Sequence, residues 1–258
     1  KKNPELEVLV LSTAGSVENV KLLEADACHF AIIQSDIAQY FLKGERIFRF
    51  PSDKVKGVAS LYPEPIQIVA REELGLERIQ DLKGKRVAVG PKNSGTEFNS
   101  AIIISAYGIA YSDIDECYLS FAEAKDSLLR GKIDVVFMTA GLPTPALSEI
   151  ASDITFISIK PDIIRHIRET YPYFVATTIP SNTYSGQFRE ISTVGIRALF
   201  VARKDISPIL VRKFTEAIFE GQEILERFHP IASSIELKSR RVGMSIPLHP
   251  GAEEYYVE

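Results

Sequence analysis

Runs of apolar residues at strand length and apolar stripes at helical spacing follow one another along this chain. Glu5 to Ser12, ELEVLVLS, predicts a strand. Thr13-Ala14-Gly15-Ser16 then turns into a helix that begins near Val17. Ser16 is its expected N-cap and Asn19 its third helical position, with Leu22 and Leu23 facing the core. Phe30 to Ile33 is a short apolar strand ended by Gln34-Ser35-Asp36. Gly57 to Leu61 leads through Tyr62-Pro63-Glu64-Pro65 into the strand IQIVAR, and a similar run, STVGIRALFVAR, spans Ser192 to Arg203. Each of these two ends in Val-Ala-Arg.

A self-contained α/β series lies between those two strands. Asp81-Leu82-Lys83-Gly84 reads as a tight turn into a buried strand, Arg86–Val89. Ser94 caps a helix that starts at Gly95 and stops at Gly108, and Ser94-x-x-Glu97 has the spacing of a capping box. A helix over Phe121–Leu129, a strand over Ile133–Met138 ending in Thr139-Ala140-Gly141, a strand over Ile154–Ile159, a helix over Asp162–Glu169 and a strand over Phe174–Ile179 complete the series. After Arg203 come an amphipathic helix, Ile209–Phe228, with Pro208 at its start, and a last short helix from His249.

Alternating strands and helices argue for an α/β fold of mostly parallel sheets. A segment entered by one long strand and left by another is what two crossovers between two lobes look like. The expected division is 1–66 for the first part of lobe 1, 67–194 for lobe 2 with its crossover strand, and 195–258 for the second crossover and the rest of lobe 1.

Composition narrows the function classes. The 258 residues are 45% hydrophobic and 25% charged, an ordinary globular profile. A net charge of −4 gives no electrostatic case for nucleic acid. No apolar run has membrane-spanning length, and the opening KKNPELE is not a signal peptide. Cys28 and Cys117 stand far apart outside any CxxC and are expected to be buried free thiols. The four histidines form no HxxH or HExxH, so no metal site is expected, and no cofactor fingerprint is present.

The candidate chemistry is anion binding. In GPKNSGTEFN, residues 90–99, a strand, a polar turn and a helix start follow in sequence. The N–H groups of Gly95 and Thr96 and the hydroxyls of Ser94 and Thr96 would lie at a partly positive helix end. A plain helix cap is the common alternative for this spacing. A nucleotide-binding P-loop is excluded, because Thr96 stands where its lysine is required. Polar clusters at strand ends, Gln34-Ser35-Asp36 and Ser94-Gly95-Thr96 among them, are where open α/β sheets bind ligands.

GSVEN at 15–19, QSD at 34–36, SLYPEP at 60–65, GPKNSGT at 90–96, AGLPTPAL at 140–147, TIPSNTY at 178–184 and PLHPGA at 247–252 occur in that order. Together they resemble the TAXI class of TRAP transporter substrate-binding proteins (TRAP-associated extracytoplasmic immunogenic proteins), over nearly the whole chain. The resemblance implies a type II periplasmic-binding-protein fold, with two α/β lobes that close on a small ligand and deliver it to a TRAP-type membrane permease. It implies glutamate or a related amino acid or dicarboxylate as ligand, a periplasmic or extracytoplasmic location and a monomer. The family opens with a strand and a Gly-Gly-x-Tyr helix ahead of the ELEVLVLS strand. This chain begins inside that pattern, so either the natural protein is longer or another segment fills the place.

The ligand residues expected on this reading are Ser16, Asn19, Gln34, Asp36 and Tyr62 from lobe 1, and Ser94, Gly95, Thr96, Gly141 and Tyr184 from lobe 2. Tyr62 and Tyr184 would pack on the ligand's aliphatic part, with core packing as the alternative. Asp36 and Glu64 would pair with a ligand ammonium or hold backbone N–H groups. A sensor domain of a signalling receptor is the second functional reading. An enzyme is the third, opposed by the lack of any nucleophile–histidine pairing, metal spacing or dinucleotide motif.

Overall fold

A computed structural model describes Leu6 to Val257; Lys1–Glu5 and Glu258 lie outside the described residues. In chain order the elements are α1 (Ser16–Glu24), β1 (Phe30–Gln34), α2 (Ser35–Lys43), β2 (Val55–Arg71), β3 (Arg86–Ala88), α3 (Gly95–Ala106), β4 (Asp115–Cys117), α4 (Phe121–Leu129), β5 (Val135–Thr139), α5 (Pro145–Ser148), β6 (Ile154–Phe156), α6 (Pro161–Thr170), β7 (Val175–Ile179), β8 (Ile191–Arg203), α7 (Pro208–Glu220), α8 (Gln222–Glu226) and α9 (Pro250–Val257). Contacts divide the chain into two units. Unit 1 runs up to Tyr62 and resumes at Ala198, and unit 2 is Pro63–Arg197. The chain passes from one unit to the other within β2 and returns within β8.

In unit 2, β3 pairs in parallel with β4 on one side and β5 on the other, with Ala88 opposite Cys117 and Val136. This parallel core is the α/β arrangement that alternating strands and helices require. β5 joins β2 antiparallel, Ile66 opposite Thr139 and Ala70 opposite Val135. β6 pairs with the end of β2, and β7 with the first half of β8, both antiparallel. All five residues of β5 are buried, as a strand covered on both faces demands. Its side chains pack with Val69, Ala124, Leu128, Leu147, Ile150 and Tyr184 in one apolar cluster.

In unit 1, β1 pairs antiparallel with the second half of β8, Phe30 opposite Ala202 and Gln34 opposite Ala198. Leu248 bridges in parallel to Gly57 on β2. α7 and α9 pack closely, and Gly251 explains how. A Cβ there would lie 2.1 Å from the Pro208 carbonyl oxygen, so only glycine admits that approach.

Three expectations are corrected. The strand expected at 5–12 is absent: residues 6–12 carry no regular structure, and Val8, Leu9, Val10 and Leu11 are exposed, Leu9 at 84%. (Glu5, its first residue, lies outside the described residues.) A strand needs a neighbour to take up its backbone groups, and no strand pairs with this segment among the described residues. The helix expected over 209–228 stops at Glu220 and restarts as α8 after Gly221, the poorest helix former short of proline. Cys28 and Cys117 are free, as expected, but half-buried rather than buried.

Candidate functional site

Unit 2 supplies the first part. β3 ends at Ala88, and six residues later Ser94 takes extended backbone angles as the N-cap of α3. Its Oγ accepts from the Glu97 N–H at 3.2 Å, and its carbonyl accepts from the Phe98 N–H at 3.2 Å. The N–H groups of Gly95 and Thr96, the first two of the helix, carry no acceptor among the described residues. The expected capping box is only half present. The Glu97 carboxylate accepts from the backbone N–H of Asn93 instead of Ser94, because Asn93 takes positive φ and turns its N–H toward the helix. Gly90 fits the loop tightly: φ is +98°, and a Cβ there would lie 2.7 Å from that of Thr96. Ser100 Oγ donates to the Val89 carbonyl at 3.1 Å and fixes α3 to the end of β3.

Two residues that sequence reasoning did not select lie at this same end. Asn99, one turn along α3 from Gly95, is 0% exposed, and neither its Oδ1 nor its Nδ2 has a partner. Thr139, the last residue of β5, is buried with its Oγ1 unpartnered. Because β3 and β5 are parallel, the loop leading to α3 and the end of β5 emerge on the same edge of the sheet. Buried polar atoms are normally satisfied, so these two side chains single out the edge as the candidate ligand site. The sequence signal was a lone amide inside the apolar run FNSAIIISA.

Gly141 and Tyr184 belong to a closed network instead. The Tyr184 hydroxyl donates to Gln67 Oε1 and accepts from the Thr144 N–H at 2.7 Å. Gln67 Nε2 donates to Thr144 Oγ1 at 2.6 Å, and Thr144 Oγ1 donates to the Gly141 carbonyl at 3.1 Å. The Tyr184 ring stacks on Phe156 at 5.2 Å. The hydroxyl both donates and accepts inside unit 2, and the side chain is buried in the apolar cluster there.

Unit 1 carries the remaining candidates. Ser16 is not the N-cap of α1; Gly15 is, and Ser16 is the first helical residue. Its Oγ accepts from the Gln34 N–H at 3.0 Å. Asn19 donates from Nδ2 to the Ile32 carbonyl at 2.8 Å and accepts from Thr13 Oγ1 at 2.6 Å. Tyr62 is half-buried against the cluster of Ala59, Leu61, Ala198, Ala232 and Ile235.

Gln34 and Asp36 differ from these. Asp36 is 0% exposed at the start of α2; its Oδ1 accepts from the Ile37 N–H at 2.8 Å and its Oδ2 has no donor. Gln34 Oε1, two residues earlier, is also buried without a donor. Burial raises the Asp36 carboxyl to about 7, against the opposing pull of the Ile37 N–H and the more distant Arg46.

Among the described residues no group of three His, Cys, Asp or Glu side chains could hold a metal ion, and no helix is long and apolar enough to cross a membrane. A cavity of about 420 Å³ in unit 2, lined by Arg71, Glu72, Glu73, Leu128, Leu129 and Ile154 among others, shares no residue with the α3 edge.

The chain has the mixed α/β fold of periplasmic binding proteins. It is similar to the alkanesulfonate-binding protein SsuA from Xanthomonas axonopodis pv. citri bound to MOPS, at 14% identity over 99% of this chain and 75% of that one, with a TM-score of 0.57. The periplasmic aliphatic sulphonate binding protein SsuA from Escherichia coli matches at 15% identity over 99% and 74%, with a TM-score of 0.55. A protein from Bordetella bronchiseptica RB50 matches at 15% identity over 99% and 80%, with a TM-score of 0.61. The chain belongs to the NMT1-like family, whose model matches residues 1–258.

Proposed function

We propose that this chain is an extracytoplasmic solute-binding protein that captures a small carboxylate or sulfonate and performs no chemistry on it. The observation that carries the reading is the α3 edge of unit 2: two free N–H groups at a helix start, with the unpartnered Asn99 amide and Thr139 hydroxyl at the same end of the sheet. A helix N-terminus favours an anion by about 0.3–1 kcal/mol when exposed and by up to about 2 kcal/mol when partly buried. The sulfonate bound by the two SsuA proteins is a small organic anion, which supports the same class here. The amino acid transporter's substrate-binding protein that shares the fold supports the carboxylate arm.

In this reading Ser94, Gly95 and Thr96 hold the anionic group. The TAXI resemblance supports glutamate or a near relative as the solute and a TRAP-type permease as the membrane partner. The test is calorimetry with amino acids, dicarboxylates and sulfonates, on wild type and on Thr96→Arg. The wild type is expected to bind a member of the carboxylate or sulfonate group. Thr96→Arg fills the helix end and is expected to abolish binding while the melting temperature moves by only a few degrees. Unchanged affinity in a folded Thr96→Arg would remove the anion from α3.

A further inference from the structure

We infer that His249 is an acid-sensitive latch for α9: its neutral ring fastens the start of the helix, and a proton on that ring releases it. His249 precedes Pro250, the first residue of α9. It is 1% exposed, and its Nδ1 accepts from the Gly251 N–H at 3.2 Å. That is the work of an N-cap side chain, done here by a ring nitrogen. The His249 carbonyl accepts from the N–H groups of Ala252 and Glu253 at 2.9 and 3.1 Å, and its own N–H donates to the Gly57 carbonyl on β2 at 2.8 Å. All of these residues belong to unit 1.

An Nδ1 that accepts carries no proton, so the ring is neutral with its proton on Nε2. Protonation at Nδ1 sets two donors against each other and puts a positive charge at the partly positive end of a helix. Burial holds the ring's pKa below its ordinary 6.5, and Lys56 of β2 adds to this; the Ile206 and Lys204 carbonyls and the Glu254 carboxylate oppose it. Of the other charged groups close by, Lys204 Nζ is held by Asp53 at 2.7 Å, and Arg212 of α7 lines a surface cavity with Glu253 and Glu254 of α9. A folded pKa below the unfolded one gives stability that is complete above about pH 6.5 and is lost as pH falls. What the latch holds is an apolar seam. Ala252 packs with Val58, Ala202, Ile206 and Val211, and the Tyr256 hydroxyl donates to the Val58 carbonyl at 2.6 Å.

The chain carries its own control. His229 precedes Pro230 in the same way, and its Nδ1 accepts from the Ile231 N–H at 3.1 Å, but it is exposed, so water can receive its charge. The test is amide hydrogen exchange of α9 at about pH 7.5 and about pH 5, corrected for intrinsic rates, on wild type, His249→Asn and His229→Asn. Wild-type protection in α9 is expected to fall by about three-fold or more at the lower pH. In His249→Asn, whose side chain accepts at either pH, that fall is expected to vanish. In His229→Asn it is expected to persist. Protection that holds at the lower pH in the wild type overturns the inference. So does an undiminished fall in His249→Asn, or a fall abolished equally by His229→Asn. Should His249→Asn fail to fold, the wild-type His249 ring is titrated by NMR in the folded chain and in urea. A lower midpoint in the folded chain is expected, and an equal or higher one overturns the latch.

Discussion

Ser16 Oγ accepts the backbone N–H of Gln34 at 3.0 Å, across eighteen residues of chain. The bond joins the first turn of α1 to the last residue of β1, and Asn19 repeats it one turn on by donating to the Ile32 carbonyl. β1 pairs with β8 on one edge only among the described residues. Two polar side chains thus stand on its other edge where a neighbouring strand would otherwise bond. Natural sheets need such cover on an open edge.

Asn19→Ala therefore tests a structural role against a ligand role. Losing this amide leaves the Ile32 carbonyl and the Thr13 hydroxyl without their partner. The expected loss is about 1–2 kcal/mol of stability, read as a lower urea midpoint. Solute affinity is expected to stay within about two-fold of wild type, a change of about 0.4 kcal/mol or less.

Asp134 is the ionic hub of unit 2. It accepts from the Arg86 backbone N–H at 3.0 Å, from Arg86 Nε at 3.0 Å and Nη2 at 2.6 Å, and from Arg71 Nη2 at 2.9 Å. Asp134→Asn removes the charge between two guanidinium groups and is expected to cost about 2–4 kcal/mol. Those same groups hold the carboxyl well below the usual carboxylate range. Its folded pKa is depressed, so its contribution is complete above about pH 4 and is lost only as pH falls further. Urea titrations of wild type and variant at pH 7 and pH 3 check both statements, with the gap expected to narrow at the lower pH.

Asp36 has the opposite sign. Its folded pKa, about 7, lies above the ordinary aspartate value of 3.8, so between those limits the folded chain holds more protons than the unfolded one. Stability from this group is full below about pH 4 and falls as pH rises toward 7. Ligand-free Asp36→Asn is expected to lose that slope and to be more stable than wild type at pH 8. Chemical denaturation of both proteins from pH 4 to pH 8 reads it directly.

Val8, Leu9, Val10 and Leu11 form an exposed apolar stretch. Replacing Leu9 and Val10 together by lysine removes no buried contact, and the expected change in stability is within about 0.5 kcal/mol. Self-association is expected to fall, because an unpaired β-prone segment invites edge pairing. Sedimentation velocity of the two proteins at equal concentration is the measurement.

Much of the fold was legible where local chemistry decides it. Ser94 capping a helix that begins at Gly95, the buried strand before it, and Pro208 at the head of a long helix all follow from side chains within a few residues of each other. ELEVLVLS was misread because a strand is a relation between two segments, and its composition names only one of them. The site was legible in part. The QSD and SGT clusters were found as polar ends of strands, but the sequence does not say which polar atoms already have partners. Ser16, Asn19 and Tyr184 prove to be engaged within their own units, while Asn99 and Thr139 lack partners that burial alone could reveal.

Gly90 gives the α3 end an unusual sensitivity. The absent side chain at position 90 and the methyl-bearing Thr96 occupy adjoining volumes, with 2.7 Å between a hypothetical Cβ and the real one. The loop is a template whose tolerance is smaller than one carbon atom. A substitution that adds no charge, donor or acceptor would still shift the first turn of the helix, and with it the two N–H groups. Recognition at this edge is thus set as much by an atom the chain withholds as by those it presents.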